Sequence, residues 1–125
     1  MDLKIQSKVA LVLAASKGLG KAIATTLSAE GADVVIGSRN QQELDATALE
    51  IRKTAKGKVV AIVVDVNKPE QLEHIVAETV KTFGRLDILV NNAGGPPFNK
   101  FETFSDEQWQ AAFDQNLMSF VRASR

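Results

Sequence analysis

The chain has 125 residues, 45% hydrophobic and 24% charged, which suits one soluble globular domain rather than two. Fifteen Lys and Arg balance fifteen Asp and Glu, so there is no global attraction to nucleic acid or to an anionic membrane. The lack of cysteine excludes disulfides, thiolate chemistry and Cys-based metal sites and agrees with a cytoplasmic location, and no apolar run approaches the ~20 residues that span a membrane.

Val9 to Ala14 is a continuous apolar run, expected as a buried strand. The small-residue turn Ala14-Ala15-Ser16-Lys17-Gly18-Leu19-Gly20 leads into a helix from Gly18 to Glu30, with Ile23 and Leu27 on one face and Gly31 as its stop. Asp33 to Ser38 is a second strand. Asn40 and Glu43 have capping-box spacing, and Leu44, Ala48, Ile51 and Ala55 then recur at helical intervals. Val59 to Val64 is a third strand, apolar on both faces and therefore expected to be buried on both sides. Asn67 and Glu70 repeat the capping box, with Pro69 in the first turn. Leu72, Ile75, Val76, Thr79, Val80 and Phe83 form a helical stripe that Gly84 ends. Leu86 to Val90 is a fourth strand, closing in Asn91-Asn92-Ala93-Gly94-Gly95. After a loop with Pro96 and Pro97, Ser105 and Gln108 form a third capping box. The last helix carries Trp109, Ala112, Phe113, Asn116, Leu117, Phe120 and Val121 on a stripe expected to face the core. Strand–helix alternation implies parallel strands with crossover helices on both faces, in one domain over residues 1–125.

A strand, a small-residue turn and a helix start make an anion cradle. Glycines let the backbone approach a phosphate, and the new helix offers its free N–H groups. The spacing Ala14, Gly18, Gly20 departs from G-x-G-x-x-G, but its βαβ setting suits a dinucleotide. An acid at the end of the second strand would mark NAD, and an arginine there the 2′-phosphate of NADP. Here Gly37-Ser38-Arg39-Asn40 supplies a hydroxyl and a guanidinium that can pair with a phosphate through two N–H groups. Lys17 adds a second positive charge, and the nearest acid, Glu43, is accounted for by its capping box. NADP is the expected cofactor. Taken singly, Arg39 and Lys17 are also consistent with ordinary surface charges. Asn116 lies among aromatic and aliphatic neighbours on its stripe, where a buried amide needs hydrogen-bond partners. His74, the single histidine, falls opposite the apolar stripe of its helix and reads as a solvated surface residue.

Four segments together resemble the short-chain dehydrogenase/reductase family: Ala14 to Gly20, Asp65-Val66, Asn91-Asn92-Ala93-Gly94, and Asn116 seven residues past Trp109. The resemblance covers the whole chain, with the 3-oxoacyl-[acyl-carrier-protein] reductases as the most similar group. It implies an α/β, Rossmann-type doubly wound parallel sheet, here stopping after the fourth strand and the helix that follows. It implies that Ala14, Ala15, Ser16, Lys17, Gly18, Leu19 and Gly20 form the cofactor loop, with Ser16, Lys17 and Leu19 lining the pyrophosphate and its ribose. Ser38 and Arg39 would hold the 2′-phosphate and Asp65 the adenine amino group, with Val66 against the ring. Asn92, Ala93 and Gly94 would pass the nicotinamide ribose, and Asn116 would hold a water in a proton relay. Asp65 also reads as a plain helix-entry residue.

The chain departs from the family in two places. Leu13-Ala14 stands where the family has Thr-Gly, and an alanine is expected to fit that turn only with negative φ. The family's catalytic serine, tyrosine and lysine lie beyond the helix that carries Asn116, and these 125 residues contain no tyrosine. The expectation is the cofactor-holding N-terminal part of an NADP-dependent oxidoreductase acting on a carbonyl, alcohol or acyl thioester, inactive alone. Its fourth strand would be an open edge that favours a homo-oligomer. The alternatives are a standalone nucleotide-binding module without catalysis and a structural remnant that acts through oligomerisation.

Overall fold

The computed structural model of the chain describes residues 3–92 and 105–125. Four parallel strands form one sheet in the order β3-β2-β1-β4: β1 (Val9–Leu13), β2 (Asp33–Ser38), β3 (Val59–Val63) and β4 (Ile88–Val90). In register, Leu11 lies beside Val35 and Leu89, and Ile36 beside Ala61. The helices between them are α1 (Gly18–Ala29), α2 (Gln41–Arg52) and α3 (Pro69–Phe83).

The two-residue period of β1 divides the core. Ala10 and Val12, with Val34 and Ile36, pack against Ala24 of α1 and Leu44, Ala48 and Ile51 of α2. Leu11 and Leu13, with Val35, pack on the other face against Leu72 and Ile75 of α3. The sheet is therefore covered on both sides, as the α/β doubly wound expectation requires. All five β1 residues are buried.

The third strand departs from expectation. β3 is an edge of the sheet, and Val63 is 39% exposed. Its apolar run gave no sign of position within the sheet, because β-branched residues suit edge and centre alike. The entry to α3 also differs. The N-cap is Lys68, with no side-chain cap, rather than Asn67, and Pro69 occupies the first turn. Asp65 Oδ1 instead accepts the Asn67 N–H at 2.9 Å. Asn40 caps α2 as expected, accepting the Glu43 N–H at 3.0 Å. Gly84 ends α3 at φ +80°, a left-handed position that suits glycine.

The last segment comprises α4 (Asp106–Phe113), a π-helical turn over Asp114–Met118, and α5 (Ser119–Ser124). Both halves of the Ser105–Gln108 capping box are present. The expected core stripe is not buried: Trp109, Phe113, Leu117 and Val121 are each 44–49% exposed. The face that packs carries Ser119, which is buried, and Ala123, which joins the core on the α3 side. A π turn bonds i to i+5, so it rotates the faces that a uniform helical period would predict.

At the opposite end of the sheet, Asp87 ties β4 to β1. Its N–H donates to the Val9 carbonyl, and its Oδ2 accepts the Val9 N–H, both at 2.9 Å. The hydrogen bond from Arg85, then that from Val9, holds the Asp87 carboxyl below its ordinary value. A carboxylate with a depressed folded pKa stabilises the fold above its unfolded pKa and loses that contribution as pH falls through the folded value. Asp87→Ala therefore lowers the thermal midpoint at pH 7, and the gap to wild type closes below about pH 4. Calorimetry across that range reads both.

Candidate functional site

A cleft of about 350 Å³ opens at the carboxyl ends of the strands, where ligands bind in open α/β sheets. The β1–α1 turn lines it with Ala14, Ser16, Lys17 and Leu19. The end of β2 and the start of α2 contribute Ser38, Arg39, Asn40 and Glu43. Val64, Val66 and Asn67 follow β3, Asn92 follows β4, and Gln115 comes from the π turn.

The turn is fixed from three sides. The Ala15 N–H donates to the Gly37 carbonyl at 3.1 Å, holding the turn against β2. Asn92 Nδ2 donates to the Ala14 carbonyl at 3.3 Å, holding it against the end of β4. Thr47 Oγ1, from α2, donates to the Ser16 carbonyl at 2.6 Å. Ser38 Oγ donates to Ser16 Oγ at 3.2 Å, so the hydroxyls from the β1 and β2 ends meet in the cleft.

Lys17 is the N-cap of α1 in extended geometry, with no side-chain cap and no acidic residue in the first helical turn. The first N–H groups of α1 and the positive end of its dipole are therefore left for an anion. Gly18 follows at φ +63°. Leu19 is 70% exposed at the rim.

Ala14 corrects the expectation of a negative φ: it takes the turn at φ +52°. An L-residue there costs of order 1–2 kcal/mol relative to glycine. Ala14→Gly keeps the turn, relieves the Cβ clash and raises the thermal midpoint by a few degrees, corresponding to about 1 kcal/mol. Thermal melting of the two proteins checks it.

The site residues expected from sequence fall into groups. Ala14, Ser16, Lys17, Leu19, Ser38, Arg39, Val66 and Asn92 all line the cleft. Ala15 and Gly20 are buried behind it. The Asp65 carboxylate bonds the Asn67 N–H, and the Asp65 N–H donates to Gln71 Oε1 at 2.7 Å; its neighbours Val64, Val66 and Asn67 form the wall. Ala93 and Gly94 lie outside the described residues. The Asn116 backbone belongs to the π turn. His74 is exposed on α3.

Sequence reasoning missed Gln115, Asn67 and Thr47. Gln115 borders the cleft directly beside Asn116 in the chain. Thr47 sits at an unremarkable position of α2, and only the fold brings it to the turn.

A sequence model of the short chain dehydrogenase family matches residues 8–125. The chain belongs to that family. An oxidoreductase of Methylorubrum extorquens is 37% identical over 122 residues, covering 98% of this chain and 49% of the relative. The crystal structure of L-sorbose reductase from Gluconobacter frateurii, complexed with NADPH and L-sorbose, superposes with a TM-score of 0.93 at 35% identity, covering 100% of this chain and 48% of that one. An actinorhodin polyketide ketoreductase with NADPH superposes with a TM-score of 0.88 at 34% identity, covering 94% of this chain and 45% of that one. The chain thus spans about half the length of the relatives it matches. As a member of that family it carries a parallel sheet, with the β1–α1 turn at the mouth of the cleft. Among its described residues no helix is long and apolar enough to cross a membrane.

Proposed function

We propose that this chain holds NADP for a short-chain oxidoreductase that moves hydride between nicotinamide and a carbonyl or alcohol carbon. The observation that carries the reading is the placement of Ser38 and Arg39, at the end of β2, on one cleft with Ser16 and Lys17 of the turn. Two anion-binding groups then face one ligand: the backbone and Lys17 at the head of α1 for a pyrophosphate, and Ser38 with Arg39 for a 2′-phosphate. Glu43 also borders the cleft, but it lies in the first turn of α2, beyond Arg39 and Asn40, where the Asn40 cap binds its N–H. The NADPH present in both structural relatives supports the same cofactor.

The apolar side chains of Val64 and Val66 suit one face of the adenine ring, with Asn67 alongside. Asn92 and Gln115, on the far side of the turn, suit the nicotinamide half. When bound, the cofactor supplies the hydride. The chain's own residues bind and orient it. Proton transfer to the product oxygen needs a group of suitable pKa within hydrogen-bond reach, and no tyrosine is among these 125 residues. The 125 residues alone are therefore expected to bind NADPH without reducing a ketone, as a nucleotide-binding module would.

NMR of the amides during NADPH titration tests the placement. Ser16, Lys17, Gly18, Ser38 and Arg39 shift with saturable dependence while His74 stays fixed. Saturable shifts confined to other residues, or none, would refute the assignment.

A further inference from the structure

The hydroxyl of Thr47 behaves unlike those of Thr25, Thr26 and Thr79. Thr25, Thr26 and Thr79 each donate to the carbonyl four residues back, at 2.7–3.0 Å, as threonine in a helix commonly does. Thr47, only 4% exposed, reaches out of α2 to the Ser16 carbonyl, 31 residues away in sequence. One turn further along α2, Glu50 pairs with Lys21 of α1. The helix thus grips both the turn and the helix that follows it.

The grip sets the direction of a peptide plane. In a trans peptide the C=O and the next N–H point opposite ways. With the Ser16 carbonyl drawn to Thr47, the Lys17 N–H of that same peptide points away from α2. Ser16 and Lys17 both line the cleft. The adjoining Gly18, at φ +63°, gives this part of the turn little intrinsic stiffness. A peptide that turned over would present a carbonyl oxygen where an anion needs a donor.

We infer that Thr47 is a positioning residue for cofactor binding: by holding the Ser16 carbonyl, it keeps the Ser16–Lys17 peptide oriented to donate to the pyrophosphate. The inference rests on the NADP reading of the cleft. It distinguishes the two anion-binding groups, because Thr47 acts on the turn and not on Arg39.

The test compares dissociation constants for NADPH and for adenosine 2′-phosphate, which lacks the pyrophosphate. Thr47→Val keeps the side-chain shape and removes the donor. It weakens NADPH about tenfold, the worth of one hydrogen bond, and leaves adenosine 2′-phosphate within about twofold. Thr47→Ser restores NADPH binding. Should valine unfold the chain, Thr47→Cys makes the same comparison with a poor donor. Unchanged NADPH affinity, or equal weakening of both ligands, overturns the inference and shows Thr47 to be a packing residue. If the wild-type protein binds neither ligand, the NADP reading falls and takes this inference with it. If it binds NADPH and the variant binds it equally well, only the inference falls.

Discussion

Arg39→Asp weakens NADPH binding by about 100-fold and leaves NADH within about threefold, because one charge-assisted contact is worth about 1.5–3 kcal/mol. The reason lies in what stands at the end of β2. Ser38 and Arg39 line the cleft, and the Ser38 hydroxyl already reaches Ser16. A guanidinium at that position can meet the two oxygens of a 2′-phosphate with parallel N–H bonds. Aspartate removes those donors and sets a carboxylate against a dianion. The same carboxylate can accept the 2′-hydroxyl of NADH, so NADH does not share the loss. Fluorescence titration of both cofactors on both proteins gives the four constants. Equal weakening of the two cofactors would make Arg39 a structural residue.

Gly20→Ala has the largest expected effect on the fold. A Cβ on Gly20 would stand 2.5 Å from the Ala14 carbonyl oxygen, 2.8 Å from Asn92 Nδ2 and 3.0 Å from Ala15 Cα. Two of those three contacts are backbone atoms of the turn, which cannot swing aside like the end of a long side chain. The hydrogen at Gly20 is what lets α1 start directly behind the turn, with Asn92 bonded to the same Ala14 carbonyl. Adding a methyl forces α1, β1 and the end of β4 apart together. The cost is about 3 kcal/mol, which lowers the thermal midpoint by about 10 °C or more. Cofactor affinity falls with it, since the Ala14 to Leu19 backbone is displaced. Gly18→Ala makes a useful contrast, because it meets φ strain at +63° but no atom within 4 Å. A Gly20→Ala protein that melts like wild type would contradict the packing described here.

Much of this arrangement was legible in the residues. The apolar runs located β1 and β2 within a residue, because strands in the middle of a parallel sheet are apolar on both faces. Gly84 and the Ser105–Gln108 box marked helix ends through local geometry, which depends on nothing distant. The cleft residues Ser16, Lys17, Ser38 and Arg39 were legible because they sit at the carboxyl ends of β1 and β2, in or beside the short segments that lead into α1 and α2.

What stayed hidden depends on the third dimension. β3 is as apolar as β1, yet only strand order shows that it lies at an edge. Thr47 carries no signal in sequence, since its partner is 31 residues away and threonine is neutral in a helix interior. The stripe from Trp109 to Val121 follows a helical period that the π turn at Asp114–Met118 interrupts. Asn67 has the spacing of a cap, but the helix begins one residue later, with Lys68 as its N-cap, and the Asn67 N–H is held by the Asp65 carboxylate. The φ of Ala14 is not set by its side chain alone. The hydrogen bonds from Asn92 to its own carbonyl and from the neighbouring Ala15 N–H to Gly37 keep it at positive φ despite the cost.

The central claim is that one cleft reads both the pyrophosphate and the 2′-phosphate of a dinucleotide. Calorimetric titration of the wild-type protein with NADPH and then with NADH tests it most directly. The account predicts one saturable site for NADPH and at least tenfold weaker binding of NADH, about 1.4 kcal/mol for the 2′-phosphate contacts. NADH binding as tightly as NADPH, or no saturable binding of either, would contradict it.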